Sequence, residues 1–210
     1  MKFNYAAAAA LSILCVSMPV HAQFGGLSNP LGGGKSSSAP AADPDAVKKA
    51  IGKALASLSY ANGKYAEALG DENKAAQLKE IGDQLSNGTL GVNGDSINKV
   101  KDAAASLAPE IKKHLDDKTK LSDAGKKAAG EALAFHVKGT AEGVAGSKML
   151  KSALESKSPM VLSALASLKD FPALLAQWSS TTGSVFSYMQ FNGLDVSKAD
   201  KAIKESMKDA

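Results

Sequence analysis

Residues 43–70 read DPDAVKKAIGKALASLSYANGKYAEALG, and this stretch decides the fold. Apolar residues recur in it at alternating intervals of four and three, which places them on one face of an α-helix. That face consists of Val47, Ile51, Ala54, Leu58, Ala61, Tyr65 and Ala68. Asp43 is suited to cap the helix, Pro44 fits its first position, and Gly70 ends it. A long amphipathic helix needs partner helices to cover its apolar face, so the segment predicts a helical bundle.

The chain beyond residue 70 continues with the same helical period. Helices are predicted over residues 71–86, 95–115, 122–145, 147–155, 158–169 and 172–191, and again from residue 197. We expect Pro109 to kink or restart its helix, because proline removes a hydrogen bond and clashes with the preceding turn. No run alternates apolar and polar residues for long enough to be a strand. The sequence therefore predicts an all-α bundle of about seven to eight helices, whose short connections favour antiparallel neighbours.

The chain before residue 43 predicts export. Residues 1–22 have the pattern of a secretory signal peptide: Lys2 is positive, residues 5–16 are apolar, and Val20 and Ala22 occupy the positions that a signal peptidase recognises. The apolar run is shorter than the roughly 20 residues that span a bilayer. We expect cleavage after Ala22 and a periplasmic or secreted protein without a membrane span.

Residues 23–42 are rich in glycine, serine and proline. We expect a disordered tail there, because the segment offers too little apolar surface to order its backbone. Gly34-Lys35-Ser36 is similar to the end of a phosphate-binding P-loop, but Asn29 stands where that motif requires glycine, and no strand precedes it. We interpret it as part of the tail, and we expect residues 43–210 to form a single helical-bundle domain.

The composition argues against several classes of function. All 25 basic residues are lysine, and the net charge is only +4. Because arginine is absent and aromatic residues make up 5% of the chain, we expect no nucleic-acid binding. The only cysteine, Cys15, lies in the predicted leader, so the mature chain has no disulfide and no cysteine metal site. The spacings of zinc, calcium and nucleophile motifs are also missing, and we expect no metal, no cofactor and no catalysis.

The helix predicted for residues 122–145 is unusually rich in glycine. Glycine costs about 1 kcal/mol relative to alanine inside a helix, so we expect a neighbouring backbone to approach closely at Gly139 and Gly143, in the centre of the bundle. His136 and Thr140 lie on the same face. We expect His136 to be a neutral core residue with one hydrogen bond. The functional alternative is a ligand contact or a proton donor in a cavity.

Two further regions offer candidate binding residues. Trp178 precedes a hydroxyl-rich run, residues 179–182; solvated helix surface is the expected role, and a platform for a sugar or another ligand is the alternative. Tyr188 belongs to a group that suits an apolar ligand, although such residues are more often core. That group comprises Met149, Met160, Phe186, Tyr188, Met189 and Phe191. The candidate ligand or partner residues are therefore His136, Thr140, Trp178 and Tyr188.

Glu110 and His114 are four residues apart and can share a helix face. Two such side chains are too few for a zinc site, and nothing nearby in the sequence supplies the others. We therefore expect a surface ion pair between them.

The predicted mature start, Gln23-Phe24-Gly25-Gly26-Leu27, leads through a Gly/Ser tail into helices rich in alanine and lysine. With residues 121–127 and the segment Asp170-Phe171-Pro172, this resembles a loose set of uncharacterised exported helical proteins of Gram-negative bacteria. The resemblance implies an all-helical fold and export, and it brings no activity and no site residues.

These observations predict a non-catalytic exported helical domain that binds a protein or a cell-envelope partner. A carrier that holds a lipid or another apolar ligand between amphipathic helices is the first alternative, and an enzyme is the second. A closed core would favour the binding domain, and an apolar cavity with a polar mouth would favour the carrier. A cleft that holds His136 with a carboxylate would favour the enzyme.

Overall fold

Every regular element between residues 43 and 208, the range that the computed structural model describes, is helical. The elements are α1 (Pro44–Leu69), α2 (Glu72–Asn87), α3 (Gly94–Asp116), α4 (Asp123–Glu155), α5 (Pro159–Leu165), a 3-10 turn (Ala166–Leu168), α6 (Phe171–Phe191) and α7 (Ser197–Met207). The predicted all-α class is confirmed for these residues. The leader predicted for residues 1–22 and the tail predicted for residues 23–42 lie outside the described residues.

Helix α1 is the most continuously buried helix. Asp43 caps its start by accepting a hydrogen bond of 3.0 Å from the backbone of Asp45, and Gly70 ends it in the left-handed conformation at φ +85°. All seven residues of the predicted apolar face are buried. The face that the sequence assigns to α1 is therefore the one around which the bundle is built.

Helix α4 packs antiparallel against α1 at very short distance. Three glycines of α4, spaced by fourteen and seven residues, face α1, and a Cβ added to any of them would meet an atom of α1. These contacts pair Gly125 with the carbonyl oxygen of Ala68 (2.7 Å), Gly139 with Cδ2 of Leu58 (2.6 Å) and Gly146 with Cγ1 of Ile51 (3.2 Å). Because the partners on α1 run backwards along the chain, the helices are antiparallel. The predicted close approach at Gly139 is confirmed, while Gly143 faces Leu175 of α6.

Helix α6 closes the other side of the core. Phe171, Trp178 and Tyr188 are among its buried residues, and each is at most 2% exposed. The helix packs against α3 and α4. This arrangement places α4 between α1 and α6, so that side chains in the middle of α4 are enclosed on both sides.

Several elements differ from the sequence prediction, and the helix predicted for residues 158–169 is divided into α5 and the 3-10 turn. The helix predicted to end at residue 145 and the one predicted for residues 147–155 form one helix, α4. Gly146 remains helical because it packs against the backbone and side chain of Ile51, and this contact offsets its weak helix propensity. Likewise, α3 continues through Pro109 without a restart.

One stretch of the described residues, Pro159–Phe191, is long and apolar enough to cross a membrane by length and composition. Of its most apolar 18 residues, 33% are buried inside the bundle. Core helices of soluble proteins have the same length and apolar composition. The absence of a membrane span therefore stays a prediction.

Candidate functional site

His136 lies where α4 packs between α1 and α6, and only 1% of its surface is exposed. Both ring nitrogens are hydrogen-bonded, since Nδ1 is 2.9 Å from the Tyr65 hydroxyl and Nε2 is 3.0 Å from the Thr182 hydroxyl. The ring also packs against the indole of Trp178, with 4.4 Å between the ring centroids. His136 is thus a core residue, as expected, but with two hydrogen bonds instead of one, and it links three helices.

The Thr182 hydroxyl sets the direction of this network. It lies 3.3 Å from the carbonyl oxygen of Trp178, to which it donates. It therefore accepts from Nε2–H of His136, which leaves Nδ1 unprotonated and makes the Tyr65 hydroxyl the donor to Nδ1. No carboxylate between residues 43 and 208 is hydrogen-bonded to the ring, so the imidazole lacks the partner that would make it a stronger base.

Burial fixes the protonation of both aromatic groups. It lowers the pKa of His136 to about 3, so the ring is neutral at physiological pH. Burial also raises the pKa of Tyr65 far above its ordinary value, so the hydroxyl keeps its proton and remains a donor. General acid–base catalysis works best with a pKa near the working pH, and neither group satisfies that condition.

A cavity of about 10 Å³ lies beside the network and is lined in part by Asn62, Tyr65, His136 and Trp178. This volume corresponds to no more than about one water molecule. The Asn62 amide nitrogen and the Trp178 indole nitrogen are buried without a hydrogen-bond partner among the described residues. The cavity is too small for an organic substrate or an apolar ligand.

Thr140 and Tyr188 have structural contacts as well. The Thr140 hydroxyl donates to the carbonyl oxygen of His136 at 2.9 Å, within α4. The Tyr188 hydroxyl donates to the carbonyl oxygen of Thr119 at 3.1 Å and thereby holds the loop between α3 and α4. Of the four candidates, the structure brings His136, Thr140 and Trp178 together and places Tyr188 apart; all four are buried.

The hydroxyl run after Trp178 forms no platform. Each of residues 179–182 donates to a carbonyl oxygen of α6 three or four positions earlier. Trp178 is 2% exposed, so its indole offers no face to a sugar in solution. The expected role as solvated helix surface fits Ser180, which is exposed, and is wrong for Thr182, which is buried against His136.

The expected ion pair between Glu110 and His114 does not form. The Glu110 carboxylate accepts instead from Lys74 Nζ at 2.6 Å, which connects α3 to α2. His114 Nδ1 is buried without a hydrogen-bond partner among the described residues, and its ring lies 6.1 Å from that of Tyr188. Glu110 pairs with Lys74 and not with His114, because helix packing brings the Lys74 ammonium group within bonding distance of its carboxylate.

A cleft of about 630 Å³ opens to solvent between α1, the end of α2 with its following loop, and α4. Its lining includes the first half of α1, residues 85–88 and 90–92, and one turn of α4. We call it the lysine cleft after the lysines that line it, which are Lys48, Lys49, Lys53 and Lys138.

The loop wall of the lysine cleft depends on two glycines. Gly88 ends α2 at φ +78°, a conformation that favours glycine. The loop then folds back onto α1 at Gly52, where an added Cβ would lie only 2.9 Å from Val92 Cγ2. Gly52 therefore lets the loop pack closely enough to form a wall.

The floor of the lysine cleft contains one carboxylate, Glu142. It accepts a hydrogen bond of 2.6 Å from the Ser57 hydroxyl on α1. Lys138 lies one turn earlier on the same helix, but no ion pair within 4.0 Å joins it to Glu142. This order, lysine before glutamate, is the weaker one for a pair four residues apart.

No group of three or more histidine, cysteine, aspartate or glutamate side chains that could hold a metal ion occurs in the part of the chain that the structure describes.

Two apolar grooves also lie on the surface. One, of about 500 Å³, includes Tyr60, Ala75 and Phe135, and the other, of about 480 Å³, includes Leu154 and Pro172.

No family model, curated protein or solved structure matches the chain.

Sequence reasoning missed the lysine cleft. Lys48, Lys49 and Lys53 form a visible lysine-rich segment next to the apolar face of α1, and this was the available signal. Lys138 is 85 residues beyond Lys53, and only the antiparallel packing of α4 on α1 brings it to the same cleft.

Proposed function

We propose that the mature protein is an exported, non-catalytic helical domain that acts by binding a protein or a component of the cell envelope at its surface. One observation carries this proposal: the contrast between the interior and the lysine cleft. The cavity beside His136 has a volume of only about 10 Å³, whereas the lysine cleft offers about 630 Å³ that is open to solvent. A protein with a packed interior and an open charged cleft has its recognition surface outside.

The export part of the proposal is supported by the leader pattern of residues 1–22. Its chemical test is the mass of the protein purified from its source. A mature chain that begins at Gln23 would support export through this leader, and a retained Met1 would contradict it.

The carrier hypothesis receives less support from the interior. Pockets for small apolar ligands enclose most of the ligand surface, and the interior cavity beside His136 is far too small for this. Phe186, Tyr188 and Met189 are packed in the core, and Met160 is 74% exposed, so these residues do not form one ligand pocket. The two apolar grooves remain the surfaces through which a carrier function would have to operate.

The enzyme hypothesis lacks a convergent set of titratable groups around its best candidate. His136 is enclosed by Tyr65, Thr182 and Trp178, and its lowered pKa keeps it neutral. A catalytic histidine needs access to substrate and a partner that raises its basicity, such as a carboxylate. Tyr65 and Thr182 orient the His136 ring, but the described residues around it supply neither a carboxylate nor access.

Site-specific photo-crosslinking in cells of the source organism tests the proposal. A photoreactive amino acid at position 53, in the lysine cleft, should yield adducts with an envelope component or an exported protein. The matched control is position 99, an exposed lysine on α3 that does not line the cleft. Equal adduct patterns at both positions would contradict recognition at the cleft. An apolar molecule retained in one-to-one amount in native mass spectrometry would favour the carrier instead.

A further inference from the structure

The charges of the lysine cleft are strongly unequal. Four lysines line it against one glutamate. The lysines come from two helices, since Lys48, Lys49 and Lys53 belong to α1 and Lys138 belongs to α4. Lysines of both helices therefore line one volume, and their positive potentials add inside the cleft.

These lysines are available to a ligand. None of the four has a carboxylate oxygen within 4.0 Å among residues 43–208. The carboxylate of the lining, Glu142, is directed to the Ser57 hydroxyl at 2.6 Å. A ligand would therefore gain ion pairs without first breaking those of the protein.

We propose that the lysine cleft binds a ligand that carries neighbouring phosphate groups. This inference rests on the proposed binding function and names the chemistry of its partner. Lysine acts on phosphate as a compact charge that needs no fixed orientation, so the cleft can bind phosphate although the chain contains no arginine. Positive charge from two adjacent helices suits a ligand with more than one phosphate, because its groups can contact lysines of both helices.

Two sources could present this chemistry, a free phosphorylated solute or the headgroups of anionic phospholipids. The cleft is concave, and its lining also includes apolar side chains such as Leu85, Leu90 and Val92, which either source could contact. The shared feature is the phosphate itself, so the first probe is inorganic triphosphate, and the second is a vesicle that contains phosphatidylglycerol.

The decisive experiment is calorimetric titration of the mature protein with inorganic triphosphate at about 10 mM and about 150 mM salt. At the lower concentration the screening length is about 30 Å, and at the higher one about 8 Å, so we expect measurable binding that weakens with salt. The double variant Lys53→Gln/Lys138→Gln should weaken binding about tenfold, because it removes one charge from each wall.

The matched control is Lys99→Gln/Lys101→Gln. Both residues are exposed on α3, and the variant changes the net charge by the same amount outside the cleft. It should change the affinity by less than about twofold. Equal losses in the two double variants would overturn the proposal, because triphosphate would then respond to net charge alone.

Glu142→Gln supplies an independent arm with the opposite sign. Glutamine keeps an oxygen that can accept from Ser57 but removes the negative charge from the floor of the cleft. We expect triphosphate to bind several-fold more tightly. Unchanged or weaker binding in a variant that keeps its thermal midpoint would contradict binding in the cleft.

Sedimentation with phosphatidylcholine vesicles, with and without phosphatidylglycerol, separates the two sources. Binding to the anionic vesicles that is lost in Lys53→Gln/Lys138→Gln would identify headgroups as the phosphate source, and binding of triphosphate alone would identify a solute. If neither probe binds while photo-crosslinks form at position 53, the phosphate proposal fails and the surface-binding proposal stands. If crosslinks are also absent, both fail.

Discussion

The Tyr65 hydroxyl lies 2.9 Å from Nδ1 of His136, and this buried hydrogen bond connects α1 to α4 at the centre of the bundle. Because the Thr182 hydroxyl accepts a hydrogen bond from Nε2–H, Nδ1 is unprotonated and the Tyr65 hydroxyl has to act as the donor. The bond is therefore directional, and its loss leaves a specific acceptor, Nδ1, buried without a partner.

Tyr65→Phe should destabilise the protein by about 1–3 kcal/mol, the usual penalty for leaving a buried acceptor unpaired. Tyr60→Phe on the same helix is the matched control. The Tyr60 hydroxyl bonds Asp83 at 2.8 Å, but this site is only partly buried, so water can replace it and the loss should be about 0.5–1.5 kcal/mol. Urea unfolding measures both. A smaller loss for Tyr65→Phe than for Tyr60→Phe would contradict the network as described.

Alanine substitutions at two glycines of α4 should change the stability of the protein in opposite directions. A Cβ on Gly139 would lie 2.6 Å from Leu58 Cδ2 and 3.1 Å from the Leu58 backbone nitrogen, so Gly139→Ala should destabilise by about 1–3 kcal/mol. A Cβ on Gly130 would meet nothing within 4 Å, so Gly130→Ala should stabilise by up to about 1 kcal/mol. Thermal unfolding of the two variants measures both changes in stability. A gain at both positions would show that α4 does not pack closely on α1.

The sequence was sufficient to predict which face of α1 is buried and that α4 needs a close neighbour, because both follow from local periodicity and helix propensity. It was insufficient at Gly146, where packing against Ile51 keeps glycine inside a helix although local propensity predicts a break. The same reason explains Glu110, whose partner is Lys74 from another helix and not the nearby His114.

The candidate site shows more clearly what could not be predicted from the sequence. His136 could be assigned to the core from its position on an apolar face, but its partners Tyr65 and Thr182 are 71 and 46 residues away in sequence. The lysine cleft depends on the same kind of information, because Lys53 and Lys138 line one cleft only through helix packing. Periodicity identifies faces of helices, and it does not identify which faces meet.

Substitution of Asn192 should change the local dynamics of the chain at Leu121. Its side-chain oxygen accepts from the backbone N–H of Leu121 at 2.8 Å, and its amide donates to the carbonyl oxygen of Tyr188 at 2.9 Å. Asn192→Ala should therefore free the Leu121 amide at the start of α4 and destabilise the protein by about 1–3 kcal/mol. Hydrogen exchange should accelerate at Leu121 more than at amides in the middle of α1. Uniform acceleration would mean that the loss is global and that Asn192 has no local role.

The pH dependence of stability should contain a contribution from His136 with a definite sign. Burial lowers its folded pKa from 6.5 to about 3, so between these values the unfolded chain binds a proton that the folded protein excludes. The contribution of His136 to the free energy of unfolding is fully present above pH 6.5. It is lost as the pH falls, by up to about 1.4 kcal/mol per pH unit. Urea unfolding of the wild type and of His136→Gln between pH 7 and pH 4.5 isolates this slope, because the other titrating groups are common to both. The free energy of unfolding of the wild type should fall more steeply with decreasing pH than that of the variant. Parallel curves would show that the folded protein protonates His136 as readily as the unfolded chain does, which its enclosure by Tyr65, Thr182 and Trp178 should prevent.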